Sequence, residues 1–116
     1  MVKEMAFVAY SVNDVPRSIA FYRDVVGLKP GELFGDSWAE FDVGGTAFGV
    51  GRGESLGIKA GSQFSAAFEV DDVKNMRDKL KAQDVEVTEI MEAGPCFVCF
   101  VTDPDGNRFA LHQRKT

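Results

Sequence analysis

Histidine is all but missing from this 116-residue chain: His112 is the only one. A site within one subunit that needs two imidazoles is therefore excluded by count alone. Cysteine is nearly as scarce. Cys96 and Cys99 stand as Cys-Phe-Val-Cys, half of what a four-ligand zinc site requires. Their neighbours Phe97, Val98, Phe100 and Val101 read as strand, whereas a thioredoxin-like motif opens a helix. Residues three apart in a strand point to opposite faces, so the two thiols diverge and read as small packed hydrophobes. No run of Lys or Arg exceeds Arg114-Lys115 and the net charge is −5, which excludes the clustered basic footprint of a nucleic-acid binder. The sequence has no stretch of about 18 apolar residues to span a membrane. Met1-Val2-Lys3-Glu4 lacks the layout of a signal peptide. The expectation is a cytoplasmic protein.

What is present is ordinary for a globular chain: 45% hydrophobic and 27% charged residues, a balance that argues against disorder. The length suits one domain over residues 1–116, able to bury roughly two-thirds of its unfolded surface. Ten Phe residues give the core, or a cavity within it, an aromatic character.

Residues 5–12 are apolar and β-branched, as in a strand. Asn13-Asp14 offers an N-cap, with Pro16 in the first turn where its missing N–H is harmless. Val15, Ile19, Tyr22 and Val26 follow at helical spacing, and Gly27 stands where a C-cap glycine belongs. Strands are expected at 31–34, 38–43 and 46–51, joined by turns at Gly35-Asp36 and Gly44-Gly45. A glycine-rich linker covers 53–63, between a first module of about 1–52 and a second of about 64–116. The second module repeats the order. Residues 64–70 read as strand, Asp71-Asp72 as a cap, and Val73, Met76 and Leu80 as a helical stripe that Asp84 helps to end. Strands at 85–91, 96–102 and 108–113 follow. Ser11-Val12-Asn13-Asp14-Val15 matches Glu69-Val70-Asp71-Asp72-Val73 at a constant offset of 58. One βαβββ unit cannot cover its own sheet, but two can. The expected fold is α+β: two tandem βαβββ modules forming a curved mixed sheet around a cleft, helices outside.

Three motifs then become recognisable. They are Val12-Asn13-Asp14-Val15-Pro16-Arg17-Ser18-Ile19-Ala20-Phe21-Tyr22-Arg23-Asp24-Val25-Val26-Gly27-Leu28, Val70-Asp71-Asp72-Val73, and Asp103-Pro104-Asp105-Gly106-Asn107-Arg108. On them the chain resembles the vicinal oxygen chelate superfamily, the glyoxalase/bleomycin resistance protein/dioxygenase group. The resemblance runs over almost the whole chain and implies the fold. It does not imply one reaction, because the fold serves lyases, dioxygenases, epimerases, thiol transferases and drug-binding proteins. It also implies a homodimer.

Enzymes of that group hold a divalent cation with ligands on the first and fourth strands of each unit. Mapped from the matching motifs, those positions are Phe7, Gly49, Ser65 and Ala110. Three have no donor atom and a neutral Ser hydroxyl is a poor one, whereas divalent sites want imidazole, carboxylate or thiolate groups. No metal and no other cofactor is expected. The strand period places Ala9 and Ser11 with Phe7, Ala67 and Glu69 with Ser65, Ala47 and Gly51 with Gly49, and Arg108 and His112 with Ala110.

The ligand-binding cleft is thus read as Phe7, Ala9, Trp38, Glu40, Gly49, Ser65, Ala67, Arg108, Ala110 and His112. The expected partner is a small molecule, with the acidic balance favouring a cation. The leading expectation is a metal-independent binding protein that sequesters a drug or metabolite, leaning away from catalysis. The alternative is a metal-independent lyase- or isomerase-like enzyme. Its candidate acid–base residues are His112, Glu40 and Glu69, supported by Arg108. A metal-dependent lyase or dioxygenase stands third. Asp103 and Asp105 read as turn residues.

Overall fold

The computed structural model describes residues 1–115. The chain divides into two compact units, Met1–Gly61 and the segment beginning at Ser62. The first holds strands β1 (Val8–Ser11), β2 (Lys29–Phe34), β3 (Trp38–Val43) and β4 (Thr46–Gly51), with helix α1 (Val15–Ala20) after β1. The second holds β5 (Ala67–Glu69), β6 (Met91–Ala93), β7 (Cys96–Thr102) and β8 (Arg108–Arg114), with α2 (Val73–Ala82) after β5. The sheets are four-stranded with orders β1-β4-β3-β2 and β5-β8-β7-β6. Each has one parallel pair, β1 with β4 and β5 with β8, the other pairs being antiparallel. The chain is thus α+β and built from two βαβββ modules of identical strand order.

In the first unit the Asp14 carboxylate caps α1, accepting from the Arg17 N–H at 3.0 Å, with Pro16 in the first turn. The helix then widens into a π turn over Phe21–Val26, closed by Gly27 at φ 91°. The Tyr22 carbonyl accepts from the N–H groups of both Gly27 and Leu28. That wider turn is how Phe21, Tyr22 and Val26 all become buried, more of the circumference than a narrow α-helical stripe covers. Tyr22 packs against Phe48 and Phe41, with ring centroids 5.1 and 6.1 Å apart. Phe41, Phe48, Tyr10 and Val50 thus form the helix-covered face of the sheet.

The second unit follows the same plan. Asp72 caps α2 by accepting from the Asn75 N–H at 3.0 Å. The Gln113 side-chain oxygen takes a second orphan donor, the Val73 N–H, at 2.8 Å. Asp84, at φ 61°, turns the chain out of the helix. Val73 and Leu80 of α2, with Phe68, Cys99, Val101, Phe109 and Leu111 of the sheet, make the core.

Three expected strands are shorter or displaced. Apolarity runs from residue 5, but β1 starts at Val8, opposite Phe48 in a partner that begins at Thr46. Met5, Ala6 and Phe7 make no ladder pair with β4, although that strand extends two residues further. The strand expected at 64–70 pairs only over Ala67–Glu69. The one expected at 85–91 splits. Val87 bridges Val101, whereas Met91 pairs with Val98, one residue out of that register. At the shift the Thr88 hydroxyl accepts the Phe100 N–H at 2.9 Å, taking the place of a ladder bond.

Candidate functional site

Each sheet has one face covered by its helix and one that is not. On the helix-free face of the first sheet lies Trp38, the only tryptophan of the chain. Its neighbours across the ladder are glycines: Gly51 directly opposite and Gly49 two residues on. A Cβ on Gly49 would stand 2.5 Å from the indole, and one on Gly51 also 2.5 Å. The ring therefore lies flat on the sheet because these positions have no side chain. Its N–H donates to the Glu40 carboxylate at 2.8 Å, and the Phe7 ring meets it edge-on at 5.1 Å.

Beside the indole opens a cavity of about 380 Å³, a size within the range of small-molecule sites. Phe7, Ala9 and Trp38 line it, as do Ser11, Ser37, Arg52, Gly53, Leu56 and Ile58. The Ser11 hydroxyl ties the linker down, accepting from the Gly53 N–H at 3.2 Å and donating to the Ile58 carbonyl at 2.9 Å. A Cβ on Gly53 would meet that hydroxyl oxygen at 2.6 Å, so glycine is needed for the close approach. Among the described residues, Arg52 is the only charged side chain lining the cavity. Arg52 ion-pairs with Glu54.

Sequence reading put Phe7, Ala9, Trp38, Glu40 and Gly49 on one face, and the structure brings these five together. Arg52 and two residues of the expected 53–63 linker, Leu56 and Ile58, also line the cavity and are absent from the cleft read from sequence. The legible signal was two large apolar residues in an otherwise polar, glycine-rich stretch. They are 77% and 54% exposed, which a solvated linker has no reason to arrange.

The helix-free face of the second sheet carries Ala67, Arg108, Ala110 and His112, aligned by the pairs Ala67–Ala110 and Glu69–His112. Glu69 is held at both oxygens. The Arg114 backbone N–H donates to one at 2.8 Å and His112 Nδ1 lies 2.6 Å from the other. The Arg114 N–H first, and the imidazole second, hold the Glu69 carboxyl below the usual range. An ionised carboxylate only accepts, so Nδ1 carries the hydrogen in this contact, and Nε2 is the ring nitrogen left facing away from it. Arg108 lies over the Phe100 ring at 4.9 Å, and Phe64 meets that ring edge-on at 5.2 Å.

Of the four positions that the family pattern gives to a metal, Phe7 meets Trp38 edge-on and Gly49 lies beneath the indole. Ala110 is buried, and the Ser65 hydroxyl hydrogen-bonds that of Ser62 at 3.0 Å. Among the described residues no three His, Cys, Asp or Glu side chains gather as a metal site would need. The residues at these positions do not fit a divalent cation. Asp103 organises a turn: one carboxylate oxygen accepts from the N–H groups of Asp105 and Asn107, at 2.9 and 2.8 Å. Cys96 pairs with Arg114 and Cys99 with Leu111, so the thiols do take opposite faces.

Residues 4–111 match the family described as Glyoxalase/Bleomycin resistance protein/Dioxygenase superfamily. A lactoylglutathione lyase of Arabidopsis thaliana is 30% identical over 121 residues. The match takes in 92% of this chain but 43% of that relative, so the chain spans less than half its length. Metallothiol transferase FosB of Lysinibacillus sphaericus is 33% identical, with 96% of this chain and 82% of the relative covered. In three dimensions the antibiotic-binding protein TnmS3 of Streptomyces superposes with a TM-score of 0.84 at 20% identity, over 98% of both chains. Among the described residues, no helix is long and apolar enough to cross a membrane.

Proposed function

The chain belongs to the Glyoxalase/Bleomycin resistance protein/Dioxygenase superfamily, and from that membership we propose that it binds a small organic molecule, without a metal, beside Trp38. One observation carries this reading: the 380 Å³ cavity walled by Phe7, Trp38, Leu56 and Ile58. Ring faces and aliphatic groups supply contact area, and few polar groups interrupt it. The protein acts by holding its ligand, as a sequestering or sensing protein does. A drug and a metabolite are both served by that role, and a homodimer is its proposed assembly. Ser65, Ala67, Arg108, Ala110 and His112 belong to the second unit, and none of them lines this cavity.

Acid–base catalysis is the second reading, favoured by the Glu69–His112 contact of 2.6 Å. A carboxylate that fixes the tautomer leaves Nε2 as a base.

A thermal-shift screen of metal-stripped protein tests the choice, with one arm of divalent metals and one of aromatic compounds and metabolites. A ligand at about a hundred times its Kd adds about 2.7 kcal/mol of stability. The expected result is a shift with an organic compound, accompanied by a change in Trp38 emission. A saturable shift with zinc, nickel, manganese or iron, lost on substitution of Glu40, Glu69 or His112, would overturn the metal-free reading. Turnover of a bound compound, abolished by His112→Gln, would favour the enzyme.

A further inference from the structure

The overall charge of −5 suggests a cationic ligand, but the cavity is of the opposite character. Its one charged lining residue among those described is Arg52. The nearest acid on the same sheet face, Glu40, does not line the cavity, and one of its oxygens takes the Trp38 N–H at 2.8 Å. We propose that the cavity selects an aromatic anion, a planar ring system bearing a carboxylate, sulfonate or phosphate, with Arg52 receiving the anionic group. The inference rests on the cavity being the binding site.

Three features make Arg52 suited to that role. Its backbone is fixed, because the Arg52 N–H donates to the Ser37 carbonyl at 3.1 Å. Its side chain is half-exposed, at 45%, so ligand contact does not require prior burial of an unpaired charge. Its present partner Glu54 is more exposed still, at 71%, and stands outside the cavity lining. An exposed ion pair of this kind contributes little net free energy. An incoming oxyanion that also buries a ring against Trp38 therefore displaces Glu54, gaining a bidentate guanidinium contact in a less hydrated place. Glu54 then acts as a competitor that sets a threshold for weak anions.

The test uses the full chain and its single tryptophan. Quenching of Trp38 is titrated with 8-anilino-1-naphthalenesulfonate, with its uncharged parent N-phenyl-1-naphthylamine, and with the aromatic cation proflavine. The sulfonate is expected to bind roughly tenfold or more tighter than the parent, the gain from one charge-assisted contact. Arg52→Gln removes that difference, and Glu54→Gln enlarges it. Added salt weakens the sulfonate alone. Equal affinity for sulfonate and parent, or tighter binding of proflavine, overturns the anion preference and leaves the cavity standing as a site. Failure of all three probes to quench Trp38 overturns the cavity reading and this inference with it. Both substitutions are on exposed side chains, so loss of fold does not obscure the result.

Discussion

At the scale of single residues, absence of a side chain does as much as its presence. Gly49 and Gly51 let the indole of Trp38 lie on the sheet, with ideal Cβ positions 2.5 Å from ring atoms. Gly49→Ala would force the ring off its seat or distort the strand, at about 1–3 kcal/mol as for other overpacked sites. The expected outcome is a lower urea midpoint together with a red-shifted Trp38 emission. Unchanged emission would mean that the ring is not seated there. The cysteines give a second expectation. Cys99 is fully buried and burial, only partly offset by Arg77, pushes its thiol up. Cys96 is half-buried and donates to the Ala93 carbonyl at 3.2 Å. One equivalent of thiol should therefore react quickly with Ellman's reagent in the native protein, and the second only on unfolding. Capping residues such as Asp14 and Asp72 were legible in the sequence because a cap is a local interaction. The Trp38–Gly49 contact was not, because it depends on cross-strand register.

At the scale of elements, the strand ends at the Gly35-Asp36 and Gly44-Gly45 turns match the sequence expectation, whereas β2 begins at Lys29 rather than after Pro30 and the ends marked only by apolarity differ. Val43 and Thr46 close on Gly44 and Gly45, both at positive φ (60° and 89°), so the ends of β3 and β4 are fixed by the turn itself. No such mark stands before Val8 or Ala67, and the ladder rather than the composition decides where those strands begin. The π turn after α1 was equally hidden, since Phe21-Tyr22 and Val25-Val26 fit a wide helix only once the sheet beneath is known. In the second unit the two-residue turn is replaced by Asp103–Asn107, held from within by Asp103. Asn107 is wholly buried. It donates from Nδ2 to Asp103 at 3.1 Å and accepts the Ser62 N–H at 2.8 Å. Asn107→Ala removes the side-chain acceptor of the part-buried Ser62 N–H and one of the donors to Asp103, so a loss of about 1–2 kcal/mol is expected. Urea unfolding with an unchanged slope would register it as a stability effect alone. A cost below about 0.5 kcal/mol would show that water replaces the side chain.

At the scale of the whole molecule, duplication was the most legible property. The offset of 58 relates the N-caps Asp14 and Asp72 and also the starts of β3 and β7 at Trp38 and Cys96. The repeat reports strand order well because both modules solve one packing problem. It says little about function, because the helix-free faces have diverged: an indole over glycines on one, a carboxylate–imidazole pair on the other. That pair links the second face to global stability through pH. The Arg114 N–H and His112 favour the ionised form of Glu69 in the folded chain, so its folded-state pKa lies below its unfolded one. The resulting stabilisation is present above the ordinary glutamate range and is lost as pH falls through the depressed value. Many other carboxylates titrate over the same interval, so the wild-type curve alone cannot isolate this one. The difference between wild type and Glu69→Gln can. Urea midpoints should differ at pH 7, with the wild type higher, and converge as the pH drops below the folded-state value. The gap should be modest, because the Glu69 side chain is 40% exposed and solvent screens the pair. Equal midpoints at pH 7 would mean that the His112–Glu69 contact forms without stabilising the fold, and a gap that widened in acid would reverse the sign of the coupling.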